Sequence, residues 1–306
     1  MNEDILREMG FDPLTLADRA LVTGFLRADP PETSELTFTN LYMWRQYYRP
    51  WLKTEAGCLL IIANIEGREP FGLPPICQGG QTPGDRGRAL AALMGHLGRL
   101  TAGPMVCRTG AGFVEQVVDR DRYEAVLDRD QSDYVYLTAE LISLSGNRFH
   151  RKKNHLNRFL KTYAHEYRPL DRELVGRVLA MQQDWCRLRD CASDQSLAGE
   201  DQAIYEALSK FGELDYTGGA IILGGKVEAF SLGEMLNPGT AVIHIEKANP
   251  DINGLYAAMN QMFAARAWAH CRFINREQDL GLEGLRAAKE SYNPHHLVDK
   301  FVITPR

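Results

Sequence analysis

Three stretches of this chain carry side chains able to do chemistry. The first, residues 147–161, holds Arg148, Arg151, Lys152, Lys153, Arg158 and Lys161 with two histidines, inside about four helical turns. Helical spacing turns Phe149, Leu156 and Phe159 toward a core with Lys152 beside them. Arg148, Arg151, Lys153 and Arg158 then fan over the other faces. Such a cluster is either a solvated face or a seat for phosphates, on RNA, an anionic lipid surface or a nucleotide. The second stretch, 243–254, delivers His244 and Glu246 on one face of a strand, then turns through Asn249-Pro250-Asp251 into a helix at Gly254. A strand end facing a helix N-terminus suits an anion or acyl group, with Asn249 and Gly254 at the contact. His244 or Glu246 is then a candidate base for an attacking amine or hydroxyl; the other reading is a buried His–Glu pair that supports the sheet. The third stretch, 274–294, ends a short strand in polar residues and restarts as a helix between glycines. Arg276 and Lys289 are candidates to hold a phosphate or a developing oxyanion, and Arg286 shares a helix face with Lys289. The competing reading is a capped amphipathic helix with solvated cations.

The elements that must position these groups are clearest in the second half. Helices are expected over 146–163, 172–188 and 202–211. Strands follow over 219–223, 226–236 and 240–246, joined by the hairpin turns Gly224-Gly225 and Asn237-Pro238-Gly239. A helix over 254–270, a strand over 273–276, a helix over 283–292 and a strand over 301–303 complete it. The order β-β-β-α-β-α-β is α+β and matches an N-acyltransferase (GNAT) core. In the first half, helices are expected over 15–26, 84–100 and 113–118, and a buried strand over 59–63. The Gly- and Pro-rich segment 71–83 reads as loop or edge strand, 119–133 as a solvated surface, and 133–137 as β-rich. The domain boundary falls near Leu144-Ser145-Gly146, giving domains 1–145 and 146–306.

Composition closes off other classes. The chain has 306 residues, 44% hydrophobic and 25% charged, which is globular and long enough for two cores. A net charge of -5 excludes a chain that is basic overall. Its six cysteines form no C-x-x-C pair and read as scattered single thiols of a reducing cytosol. Residues 1–10 are acidic without an apolar core, so no secretory leader is expected, and no apolar run approaches the ~20 residues of a membrane span. The expectation is a cytoplasmic protein that meets any membrane from outside. Walker A, G-x-S-x-G and H-E-x-x-H motifs are absent. His295-His296 lacks thiolate or acidic neighbours, so no metal is expected, and no cofactor either. The Gly-rich pyrophosphate loop of acetyl-CoA enzymes is replaced by residues 249–254, with one glycine.

Taken together, Phe38-Thr39-Asn40-Leu41-Tyr42-Met43-Trp44-Arg45, Arg151-Lys152-Lys153-Asn154-His155, His244-Ile245-Glu246-Lys247-Ala248 and Asn275-Arg276-Glu277-Gln278-Asp279-Leu280-Gly281 with Leu285-Arg286-Ala287-Ala288-Lys289 resemble proteins related to the C-terminal domain of phosphatidylglycerol lysyltransferase. That family is related to the Fem aminoacyltransferases. The resemblance covers most of the chain and implies two tandem GNAT-like domains. It further implies transfer of an aminoacyl group from charged tRNA to an amine or hydroxyl, on a small molecule or a lipid head group. Lys289 matches the lysine of the family's L-x-x-F-K-x-x-F helix, which lies near the reacting ester; Ala288 stands where the phenylalanine would be. Under this reading Arg148, Arg151, Lys152, Lys153 and Arg158 hold tRNA phosphates. Lys289 and Arg276 stabilise charge, and Glu246 or His244 deprotonates the acceptor. An acyl-CoA-dependent N-acyltransferase and a non-catalytic module of the same fold are the alternatives.

Overall fold

In the computed structural model the chain up to Ser132, together with Val298–Arg306, forms one unit, and Asp133–Leu297 forms another. Residues 3–306 are described; Met1 and Asn2, at the head of the acidic 1–10 stretch, lie outside the described residues. The first unit runs α1 (Glu3–Glu8), β1 (Asp12–Pro13), α2 (Arg19–Ala28), α3 (Phe38–Met43), α4 (Arg45–Tyr48), β2 (Trp51–Glu55), β3 (Cys58–Ala63), β4 (Phe71–Cys77), α5 (Pro83–Leu97), β5 (Val106–Gly110), α6 (Ala111–Val117) and β6 (Tyr123–Leu127). The second begins with β7 (Asp133–Leu137), α7 (Thr138–Ser143), α8 (His150–Thr162), β8 (His165–Pro169), α9 (Arg172–Arg189) and α10 (Gln195–Ser209). It continues with β9 (Thr217–Leu223), β10 (Lys226–Asn237), β11 (Thr240–Ala248), α11 (Leu255–Ala267), β12 (Phe273–Asn275), α12 (Glu283–Glu290) and β13 (His296–Val298). The last strand, β14 (Lys300–Pro305), belongs to the first unit's sheet.

Both units share one plan. The sheets read β1-β2-β3-β4-β5-β14-β6 and, in the reverse sense, β8-β9-β10-β11-β12-β7-β13. Each has antiparallel hairpins, one parallel pair (β4 with β5, β11 with β12) and a crossover helix between the parallel strands. In each sheet the sixth strand is remote in sequence from its partners: β14 closes the chain, and β7 opens the second unit. The fold is therefore α+β with two tandem GNAT-like units, as expected, while the break falls at 132/133 rather than 145/146. The reason is pairing: β7 lies antiparallel to β12, with Val135 opposite Asn275, so residues 133–137 open the second unit. The expected strand 301–303 is β14, paired to β5 and β6.

Local chemistry explains most elements. Thr82 and Asp85 form a reciprocal capping box at the start of α5, with Pro83 in its first turn. Asp171 and Asp194 cap α9 and α10 through backbone N–H groups. The segment 71–83 differs from its reading: β4 is an interior strand, buried throughout. It tolerates Pro74 and Pro75 because they sit where the β3–β4 register jumps from Leu59–Ile76 to Ile61–Leu73, so no ladder N–H is missing. The cysteines also differ. Cys58 and Cys77 face each other across β3 and β4 and form a disulfide, as do Cys186 and Cys191; Cys107 and Cys271 stay free. Among the described residues no helix is long and apolar enough to cross a membrane.

Candidate active site

The chemistry-bearing groups of the second unit gather where its two parallel strands part. β11 and β12 pair only over Thr240–Phe273, Ala241–Ile274 and Val242–Asn275. Beyond that, β11 continues to Ala248 while the chain leaves β12 through Arg276 and Glu277, the latter left-handed at φ 58°. A bulge in the β10–β11 ladder sharpens the opening. Leu232 pairs with Ile245 and Gly233 with Ile243, so His244 is the extra residue. Only glycine fits at 233, because a Cβ there would stand 2.6 Å from the Val242 carbonyl oxygen.

His244 is 1% exposed in its side chain and is held at both nitrogens. Nε2 lies 2.9 Å from Glu234 on β10 and Nδ1 lies 2.8 Å from Glu277. Burial alone would lower its pKa, but hydrogen bonds and charge from the two carboxylates outweigh it and raise the value to about 9. At neutral pH it is an imidazolium donating both N–H groups, with no lone pair left for the base role expected of it. Glu246 is equally committed: Oε1 accepts from Arg276 Nη2 at 2.9 Å and Oε2 from Asn260 Nδ2 at 3.1 Å. Both residues position their neighbours.

What they position is a cationic pocket wall. The Arg276 guanidinium lies 4.8 Å from the Tyr292 ring and 5.6 Å from Tyr136. Burial works against its charge, yet Glu246 and the tyrosines hold it firmly protonated. Its Nη1 is buried and makes no hydrogen bond, a costly state for an ionised donor. The Arg276 carbonyl accepts from the Lys289 ammonium. Burial first, and then Arg276, bring Lys289 down to about 8; the same two causes bring Lys152 to about 8. Lys152 Nζ sits 4.1 Å above the Tyr292 ring. Two amines able to exchange protons near neutrality thus flank a permanent cation with a spare donor. That set can stabilise an oxyanion and move a proton.

Of the expected site residues, the structure brings Lys289, Arg276, Glu246, His244 and Lys152 together. Arg286 goes elsewhere: its Nε and Nη2 bind Asp279 at 2.8 and 3.1 Å. Tyr134 donates to the same carboxylate at 2.6 Å, and this clasp fixes the turn before α12. Asn249 is also structural, its amide donating to Glu228 at 2.9 Å and its oxygen accepting from the Asp251 N–H. Gly254, left-handed at φ 85°, opens α11 hard against α8; a Cβ there would lie 2.3 Å from the His155 carbonyl oxygen. α8 therefore passes close beside the α11 N-terminus at this glycine, while Asn253 and Tyr256 stay exposed. Gly254→Ala should cost at least ~2 kcal/mol, combining left-handed strain with that clash, and appear as a lowered Tm in thermal denaturation.

The outer face of α8 matches the basic reading. Arg151, Lys153, Arg158 and Lys161 are exposed, and no ion pair engages them among the described residues. Arg148 is paired with Glu140. Sequence reasoning missed Glu234, Tyr136, Tyr292 and Asn260. An acid inside the apolar run of β10 was the available signal for Glu234.

A family profile described as "Phosphatidylglycerol lysyltransferase, C-terminal" matches residues 28–304. A conserved protein of unknown function from Bacteroides thetaiotaomicron superimposes with TM-score 0.88 at 31% identity, over 97% of this chain and 99% of that one. The C-terminal domain of a putative lysylphosphatidylglycerol synthetase from Agrobacterium fabrum gives TM-score 0.66 at 11% identity, covering 95% and 92%. FemX gives 0.60 at 10%, covering 95% and 96%. These last two show the shared fold. A curated relative, an uncharacterized protein of Mycoplasmoides gallisepticum, is 22% identical over 190 residues, and the match spans 60% of its length. With its fold, its cationic cluster and a profile match over nearly the whole chain, this protein belongs to the phosphatidylglycerol lysyltransferase C-terminal family.

Proposed function

We propose that the protein transfers an aminoacyl group from charged tRNA to an amine or hydroxyl acceptor, a lipid head group being one such acceptor. The observation that carries this is Arg276 Nη1, a buried guanidinium donor without a partner between two amines of lowered pKa. The donor ester is already activated, so no covalent enzyme intermediate is required. The acceptor attacks the ester carbon, and the carbon–ribose oxygen bond breaks as the new bond forms. Arg276 donates to the oxyanion. Lys289, in its neutral form, takes the acceptor's proton and returns it to the ribose oxygen, so protons and charge balance. Lys152 adds a second cation to the wall. Glu246 holds Arg276 in place, and His244 ties Glu277 to the sheet. Charged tRNA as donor places the reaction in the cytoplasm.

The acyl-CoA reading lacks the Gly-rich pyrophosphate loop, whose place residues 249–254 take with one glycine. The exposed cations of α8 suit a polyanion instead. The test is binding of charged and deacylated tRNA titrated across salt, with acetyl-CoA in parallel. Wild type is expected to bind tRNA with a steep salt slope. The triple variant Arg151→Glu, Lys153→Glu, Arg158→Glu should lose affinity and flatten that slope by about 2–3. Saturable acetyl-CoA binding with no tRNA binding would overturn the reading.

A further inference from the structure

Glu246 on β11 spends both of its oxygens on other elements of the second unit. Oε1 accepts from Arg276, just beyond β12, and Oε2 from the Asn260 side chain on α11. A carboxylate can only accept, so the Asn260 amide must turn its NH2 toward it. The opposite flip would set two acceptors against each other at 3.1 Å. Oδ1 is thereby held on the side away from Glu246. Asn260 is 4% exposed, and this Oδ1 is buried without a hydrogen bond. Arg276 Nη1 is in the same state. One carboxylate thus anchors, on its two oxygens, a group with an open donor and a group with an open acceptor.

Buried polar atoms left open in this way cost stability until something fills them. The two are complementary, so a single ligand fills both if it carries an acceptor and a donor a few bonds apart. A plain acyl group carries only the acceptor. An α-amino acyl group carries both, the carbonyl oxygen and the amine on the next carbon. The surroundings decide the charge of that amine. Arg276 stays protonated, and its charge already opposes those of Lys152 and Lys289, so a further cation is disfavoured. A neutral amide oxygen suits a neutral amine. A carboxylate would draw an ammonium, but the oxygens of Glu246 are already taken.

We propose that Asn260 reads the α-amino group of the donor, its Oδ1 accepting an amine N–H while Arg276 Nη1 donates to the neighbouring carbonyl oxygen. This rests on the aminoacyl-transfer reading of the same site and adds to it the residue that separates aminoacyl from plain acyl donors. The contacts fall on groups that α-amino acids share, so Asn260 sets the class of donor and leaves the choice of side chain to other residues.

Isothermal titration of the full chain against three pairs of amides tests it. The pairs are L-alaninamide with propanamide, L-leucinamide with 4-methylpentanamide, and L-lysinamide with 6-aminohexanamide; the second of each lacks only the α-amine. At least one amino acid amide should bind saturably, and at least about ten-fold more tightly than its deaminated partner. This comparison needs no variant. In Asn260→Ala, with an unchanged circular-dichroism spectrum, the preference should fall to within about two-fold while the deaminated amide keeps its wild-type affinity. A purely structural role for Asn260 would instead weaken both members of a pair together. No saturable binding of any amide at millimolar concentration, equal binding within all three pairs, or a full preference in folded Asn260→Ala would each overturn the proposal. The salt titration of tRNA decides the reading beneath it. Tight tRNA binding with no preference among the amides removes only the role of Asn260, whereas acetyl-CoA binding without tRNA binding removes both.

Discussion

Lys289→Met is expected to lower single-turnover aminoacyl transfer by about 10²–10⁴-fold while leaving the protein as stable as wild type, or more so. The two halves of this result have one cause. In the fold Lys289 titrates near 8, against 10.5 for an ordinary lysine, because burial and Arg276 oppose its charge. A folded-state pKa below the unfolded value means that holding the proton costs stability. That cost is fully present below pH 8, shrinks as pH rises, and is gone above about 10.5. It is of the order of 3 kcal/mol. Methionine keeps the length and packing, removes the charge, and gives up one bond to the Arg276 carbonyl, worth about 1 kcal/mol. Wild type and variant should therefore converge in Tm as pH climbs from 8. Lys289→Arg separates charge from proton transfer, because arginine keeps its proton. It should also transfer slowly and should lose the rise in rate that wild type shows up to about pH 8. Transfer at the wild-type rate by either variant would remove Lys289 from the mechanism.

The second unit was legible in the sequence because its turns are written in Gly, Asn and Pro. Gly224-Gly225 and Asn237-Pro238-Gly239 bracket β10, and the structure ends that strand at the same places. The first unit was harder to read for physical reasons. β4 carries two prolines that look like a break and are absorbed by a register jump. β6 buries Tyr123 but exposes Val126 and Leu127, so its buried face is faint, and its partner β14 lies at the other end of the chain. A boundary drawn from local signals cannot foresee a strand contributed from so far away. The site divides along similar lines. Residue type and spacing identified Arg276, Lys289, Lys152, His244 and Glu246. Their roles depended on partners that spacing does not reveal: Glu234 from a neighbouring strand, Asn260 from α11, and Tyr136 from β7, which lay on the wrong side of the drawn boundary. Those partners turn His244 and Glu246 from free bases into fixed charges.

The same partners make His244 a stability determinant of the cluster. His244→Leu should destabilise the second unit by about 3–5 kcal/mol at neutral pH, because it leaves Glu234 and Glu277 as buried carboxylates with no cation between them. For a unit of this size that is a fall in Tm on the order of 10 °C. The pH dependence runs opposite to that of Lys289. A folded-state pKa raised to about 9, against 6.5 for an ordinary histidine, gives stability that is complete below pH 6.5 and lost as pH rises through 9. Wild type should weaken along that limb; His244→Leu should lack it and should recover in acid, where the carboxylates protonate. Adding Glu277→Gln to His244→Leu removes one of the two stranded charges and should restore part of the loss. Kinetics then separates a base from a positioning cation. Assayed well below its lowered Tm, His244→Leu should keep kcat/KM within several-fold of wild type, because the imidazolium has no lone pair to lose. A hundred-fold fall in kcat in the folded variant, rescued by exogenous imidazole, would mean that His244 exchanges a proton with the substrate and that its two carboxylates release it on binding.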